Sequence, residues 1–182
     1  ADEEQGGWTG WHCEGGPLRA LFPLLMWDVL FMDVPDVFQA PFQDAPLDLD
    51  SCPLFYTTRR TAIDARLRAV RASTPADLAA MVAAAWAEHH GTLCRGLRWD
   101  GGKSPRFLQA VAAGLGGRAL ATVLAALCLD YKHFGGGLPD LLLLRVVPAP
   151  VAEPPAGGGG DGVPWHGPPS SPRATGSPAG SR

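Results

Sequence analysis

An α/β chain rich in helix is what this sequence predicts, on three observations. Apolar residues recur at helical spacing through most of positions 1–147, helix-opening signatures punctuate them, and a single aliphatic run near position 140 stands behind three glycines, as a buried strand would. Composition then breaks. From Pro148 to Arg182 there are 9 Pro, 8 Gly and 4 Ser in 35 residues, too little apolar surface to offset the entropy of ordering. The expected organisation is one domain over 1–147 and a disordered Pro/Gly/Ser-rich tail over 148–182.

Each element has its own reason. Pro17 suits the first helical position, and Leu18, Leu21, Phe22, Leu25, Met26, Val29 and Leu30 follow at i, i+3, i+4, i+7 spacing, a buried helix with a kink at Pro23. Val34 to Pro53 carries four prolines and several aspartates and reads as a long loop. A helix is expected around Arg60 to Ala72. The next is opened by Thr74-Pro75-Ala76-Asp77, where Thr74 caps, Pro75 takes the first turn and Asp77 closes a capping box. Its apolar face is Leu78, Met81, Val82, Ala85 and Trp86. Two more helices fit Pro105 to Ala113 and Arg118 to Tyr131, separated by Gly114 to Gly117. Leu138 to Val147 predicts a strand buried on both faces. Trp8, Trp11 and Trp165 have no assigned place.

Charge and cysteine content exclude several classes. A net charge of −3 and a pI near 5.9 exclude a polybasic tail or a globally basic nucleic-acid coat, while leaving room for a local basic groove. Cysteines at 13, 52, 94 and 128 form neither a disulfide framework nor a CxxC site, so reduced, intracellular thiols are expected. No uninterrupted run of 18 apolar residues predicts a membrane span, and no basic segment precedes the first apolar run. Because the chain opens Ala-Asp-Glu-Glu without Met, a fragment of something longer is expected.

Two carboxylates stand out. Asp140 lies in GGLPDLLLL, where a strand leaves a Gly-rich turn. It can hold a metal rigidly at a sheet margin, or it can be ordinary Pro-Asp turn chemistry. Glu14, in HCEGG, precedes the first long helix and can equally serve its N-terminal dipole. Spacing alone does not bring the two together. Arg59, Arg60, Arg66, Arg68 and Arg71 can follow a DNA backbone, or can form a solvated helix face with Asp64 pairing Arg68 at i,i+4. The acidic loop with Asp33, Asp36, Asp44, Asp48 and Asp50 would repel DNA, or else packs Phe38, Phe42 and Leu47 over the helices.

Beyond these local readings, LLMWDVLFMDVPDVFQ (24–39), APLDLD (45–50), TTRRTAIDARL (57–67), AAAWAEHHG (83–91) and DYKHFGGGLPDL (130–141) resemble, in order and from about Gly10 to Leu144, the C-terminal nuclease region of the Fanconi-associated nuclease family. The resemblance implies a virus-type replication-repair nuclease module, a variant of the restriction-endonuclease-like PD-(D/E)xK fold. It also implies a nuclear, magnesium- or manganese-dependent phosphodiesterase that cuts DNA at 5′ flaps and from 5′ ends during interstrand cross-link repair. Its partners would be DNA and, through segments outside this sequence, other cross-link repair proteins. On that resemblance Glu14 and Asp140 are the catalytic, metal-ligating acids and Lys132 contacts DNA phosphate. His12 and His133 flank the acids and are expected at surface or packing positions.

One departure is specific. The family places an E-x-K strand after the PD aspartate, and none follows Asp140 here: Glu153 sits in AEPPAG, and the two lysines, Lys103 and Lys132, both lie upstream. The expectation is a partial module ending after its first core strand, with strand 138–147 short of sheet partners and the chain poorly folded or catalytically silent. The alternative function is a non-catalytic DNA-binding or protein-interaction fragment.

Overall fold

Burial on every side of one helix organises the fold. In α1 (Gly16–Leu30) every residue from Ala20 to Met26 is buried, Pro23 included, and Val29 and Leu30 follow. A helix apolar all round belongs in the middle, and α1 packs against α2 (Leu54–Ala72), α3 (Pro75–His89) and α4 (Pro105–Leu129). The computed structural model describes residues 7–100 and 102–145. The chain divides into Ala1–Val146 and Val147–Arg182, so the expected tail at 148–182 and the end of the expected strand lie outside the described residues.

Several sequence expectations need adjusting. Helical dihedrals in α1 break at Met26, about one turn beyond Pro23. The helix expected near Arg60 starts at Leu54, directly behind Pro53. α3 opens as predicted: the Asp77 N–H donates to the Thr74 hydroxyl at 3.2 Å and the Thr74 N–H to the Asp77 carboxylate at 2.9 Å. The Thr74 hydroxyl and then its N–H hold the Asp77 carboxyl below its ordinary range. This contribution is complete above the unfolded carboxylate pKa and is lost as pH falls through the lower folded one. The two helices expected over 105–131 form one run, α4, broken only at Gly116, whose φ of 74° glycine adopts without strain. By length and composition α4 could cross a membrane. Leu108, Val111, Leu120, Leu124 and Leu127 instead point into the core.

The arginine row of α2 does not act as a unit. Arg59 is 1% exposed and pairs with Asp48, from the short 3₁₀ turn Leu47–Asp50, at 2.5 Å. Arg66 pairs with Asp28 and Arg60 with Asp64. Asp64 thus serves Arg60 rather than Arg68. Asp44 and Asp50 are bridged by Arg95 at 3.1 and 2.7 Å, so part of the acidic loop is neutralised from within. Of its apolar residues, Phe38 stacks on Phe31, whereas Phe42 and Leu47 stand exposed.

The sheet corrects the sequence expectation most. β2 covers only Leu141–Arg145, with alternating exposure, and pairs antiparallel with β1 (Trp8–His12), a strand that spacing did not predict. Register places Trp8 opposite Arg145, Gly10 opposite Leu143 and His12 opposite Leu141. One face holds exposed Trp8, Leu141 and Leu143. The other brings Leu142 and Leu144 against the core, and Trp11 meets Phe107 edge-on at 5.3 Å. An aliphatic run read as doubly buried is therefore one strand of a ribbon half open to solvent.

Candidate active site

The ribbon brings the backbone segments that carry the two predicted acids together at one end of the ladder. Beyond the β1–β2 pairing the ladder continues as two backbone bonds: the Cys13 N–H donates to the Asp140 carbonyl at 2.7 Å and the Gly15 N–H to the Pro139 carbonyl at 2.9 Å. Glu14 stands between these two donors. Cys13 is thus the backbone partner of Asp140, with Glu14 next along the chain, so two distant segments meet through register, which spacing could not show.

Cys13–Gly16 closes as a turn, with the Gly16 N–H donating to the Cys13 carbonyl at 2.7 Å. Both central residues are left-handed, Glu14 at φ 44° and Gly15 at φ 68°. For glycine this is free. For glutamate it costs on the order of 1–2 kcal/mol. A strained, exposed carboxylate is retained where a glycine would fit the backbone better, and strain of this kind gathers at functional positions. Glu14→Gly is accordingly expected to stabilise the fold by about 1 kcal/mol, checked by urea unfolding, while removing one of the two candidate carboxylates.

A cleft of about 990 Å³ opens beside the turn, and Glu14 and Lys132 both line it. Asp140 is exposed and stands outside that lining. Lys132 lies on α5 (Tyr131–Gly136), whose N-terminus is capped by the Asp130 carboxylate accepting from the His133 N–H at 2.9 Å. His133 is exposed with its ring edge-on to Phe134, and His12 is exposed on β1. Neither is drawn toward the acids by any hydrogen bond among the described residues.

Sequence reasoning missed Arg19. From the first turns of α1 it donates twice to the Gly135 carbonyl, from Nε at 3.1 Å and Nη2 at 2.6 Å. It thereby ties the helix behind Glu14 to the glycine turn ahead of Asp140. No local signal could have revealed this, because its partner is 116 residues away. Arg95, Arg98 and Lys103 also line the cleft. Cys94 does too, but burial first, and then the Asp44 carboxylate, push its thiol up to about 12, which leaves it neutral and unreactive near pH 7.

The donor set suits a hard divalent ion only in part. Glu14 and Asp140 offer oxygen ligands, which magnesium and manganese prefer, and magnesium commonly keeps several waters beside one or two carboxylates. Among the described residues no three His, Cys, Asp or Glu side chains converge on one point.

The chain is similar to several known proteins. Residues 73–152 match the model of the VRR-NUC domain. The Fanconi-associated nuclease 1 homolog of Oryza sativa subsp. japonica is 44% identical over 143 residues, 79% of this chain and 14% of that protein. Fanconi-associated nuclease 1 of Homo sapiens is 42% identical over 137 residues, 74% of this chain and 13% of that protein. The chain therefore spans roughly one-seventh of these relatives. Two crystal structures of paFAN1 share the fold. The one bound to DNA with a two-nucleotide 5′ flap and a gap has a TM-score of 0.67 at 24% identity, covering 76% of this chain and 24% of that one. The one with a one-nucleotide flap has a TM-score of 0.65 at 25% identity, covering 75% and 24%. With its α/β, helix-rich fold of the PD-(D/E)xK type, the chain belongs to the VRR-NUC family, alongside the C-terminal regions of the Fanconi-associated nucleases.

Proposed function

We propose that this chain supplies part of the catalytic centre of a metal-dependent DNA nuclease, a hydrolase of phosphodiester bonds at 5′ flaps and 5′ ends that serves interstrand cross-link repair in the nucleus. The observation that carries the proposal is the pair of backbone bonds that joins the Cys13–Gly15 turn to Pro139 and Asp140. Membership of the VRR-NUC family and the likeness to DNA-bound paFAN1 support it.

In this reading Glu14 and Asp140 are the catalytic acids and the ligands of magnesium or manganese. A bound divalent ion supplies a more acidic water and neutralises the charge that develops on the phosphate. The chain's own residues do the rest. The ladder bonds at Cys13 and Gly15 hold the backbone segments from which the two carboxylates project. Lys132, on the wall of the cleft that Glu14 also lines, places a point charge where a DNA phosphate would enter. Arg19 fixes the glycine turn between Lys132 and Asp140.

A second reading, a non-catalytic DNA-binding or protein-interaction fragment, is favoured by one observation: no E-x-K follows Asp140 within the sequence. The two separate on 5′-flap DNA incubated with the chain, with and without manganese, beside Asp140→Ala. Manganese-dependent cutting that disappears in Asp140→Ala is the expected result for the enzyme. Binding of the flap without cutting is the result expected of the second reading.

A further inference from the structure

The five arginines of α2 are sorted by the fold. Three have acidic partners: Arg59 with Asp48, Arg60 with Asp64 and Arg66 with Asp28. Arg68 and Arg71 make no ion pair and no side-chain hydrogen bond among the described residues, and both are exposed. They line one groove of about 340 Å³ between α2 and α4, with Leu67 beside them and Ala121, Thr122 and Ala125 opposite. Arg118, one helical turn before Thr122 on α4, is also exposed and makes no ion pair among the described residues.

The groove exists because the helices approach closely there. Gly117 sits against the α2 backbone, where a Cβ would overlap the Val70 and Arg71 carbonyl oxygens. This brings the end of α2 down beside the second half of α4, and the small side chains Ala121 and Ala125 keep the space open. The one carboxylate in the lining, Asp64, is already engaged, accepting from the Tyr56 hydroxyl at 3.0 Å and facing Arg60.

We infer that this groove is a second DNA contact, which takes the sugar–phosphate backbone on Arg68 and Arg71. The inference rests on the proposed DNA nuclease reading and extends it to a surface outside the Glu14 cleft; the two linings share no residue. Charge and shape select the occupant. Arginines three apart on a helix have Cβ atoms roughly 5–6 Å apart, so their forks can engage neighbouring phosphates along one strand. Of the groove's side chains only Leu67 is large and apolar, which gives an anchoring peptide side chain little to bury against. Contacts of this kind position a duplex and add a salt-dependent term independent of sequence.

The test is the salt dependence of duplex DNA binding by the full 182-residue chain, followed by fluorescence anisotropy without added metal. Arg68→Ala/Arg71→Ala should weaken binding and lower the slope of log K against log salt by about 2, one per lost phosphate contact. The double lysine variant keeps the charges and should retain the slope, which separates phosphate binding from any change in folding. Arg60→Ala, whose partner is Asp64, should alter the slope by less than the double variant. Failure of the unaltered chain to bind DNA would overturn both this inference and the nuclease reading. Unaltered affinity and slope in the double alanine variant would overturn the second contact alone. So would intact DNA binding accompanied by loss of binding to a polyglutamate probe, which would mark the groove as a site for acidic protein segments.

Discussion

Arg59→Ala should lower the free energy of unfolding by about 3–5 kcal/mol, whereas changing both members of its ion pair to apolar residues, Arg59→Met with Asp48→Leu, should be neutral or stabilising by up to about 4 kcal/mol. The asymmetry follows from burial. Arg59 and Asp48 are 1% and 4% exposed, and their contact at 2.5 Å is supported by a bond from Arg59 Nη1 to the Thr58 hydroxyl at 3.0 Å and by the Phe55 ring 4.5 Å from the guanidinium carbon. Removing the cation alone strands a carboxylate away from water. The pair is also poorly satisfied: among the described residues, Asp48 Oδ1 and Arg59 Nε and Nη2 are buried without partners. Each such atom carries a desolvation cost of about 1–3 kcal/mol, which the apolar double variant removes. Urea unfolding of the three proteins reads both effects. A single-variant loss below about 1 kcal/mol, the scale of an exposed pair, would show that water reaches the site.

Gly15→Ala should cost about 2–5 kcal/mol, combining a left-handed alanine with overpacking. At φ 68° alanine is strained whatever the space, and here the space is taken: an added Cβ would lie 2.5 Å from Leu138 Cβ. Leu138 sits in the segment that leads to Asp140, so relief requires the two strand ends to part. That motion breaks the Gly15 to Pro139 bond and with it the junction between the Glu14 turn and the Pro139–Asp140 segment. Shortening Leu138 leaves its Cβ in place and does nothing for φ, so Gly15→Ala with Leu138→Ala should recover only a minor share of the loss. Thermal unfolding of the single and double variants checks this. Full recovery would mean that crowding of the longer Leu138 side chain, rather than backbone conformation and Cβ overlap, makes glycine necessary.

Local chemistry made much of the helical fold readable. The Thr74 cap, the apolar spacing of 18–30 and the glycines near 116 are signals within a few residues of the structure they produce, and α1, α3 and α4 follow them closely. Elements set by distant partners were not readable in that way. The run at 138–147 is equally apolar whether one face or two are covered, and only pairing with Trp8–His12 shows that its odd-numbered positions face solvent. β1 itself, Trp-Thr-Gly-Trp-His, carries β-favouring aromatic and branched residues, but a central glycine weakens the signal. Arg59 looked like its neighbours in sequence, and only the acidic turn at Asp48 distinguishes it. In the candidate site, Glu14 and Asp140 were reached through resemblance to a family, and register brings only their backbone segments to one ladder end. Arg19 left no trace in the sequence because its partner carbonyl is remote.

Manganese binding to the full 182-residue chain, followed by electron paramagnetic resonance, tests the central claim most directly, beside Glu14→Ala and Asp140→Ala. The account predicts that the chain removes free manganese from solution and that either substitution abolishes the effect while the helical circular dichroism is retained. Binding left unchanged in both variants would contradict it, because Glu14 and Asp140 would then hold no metal.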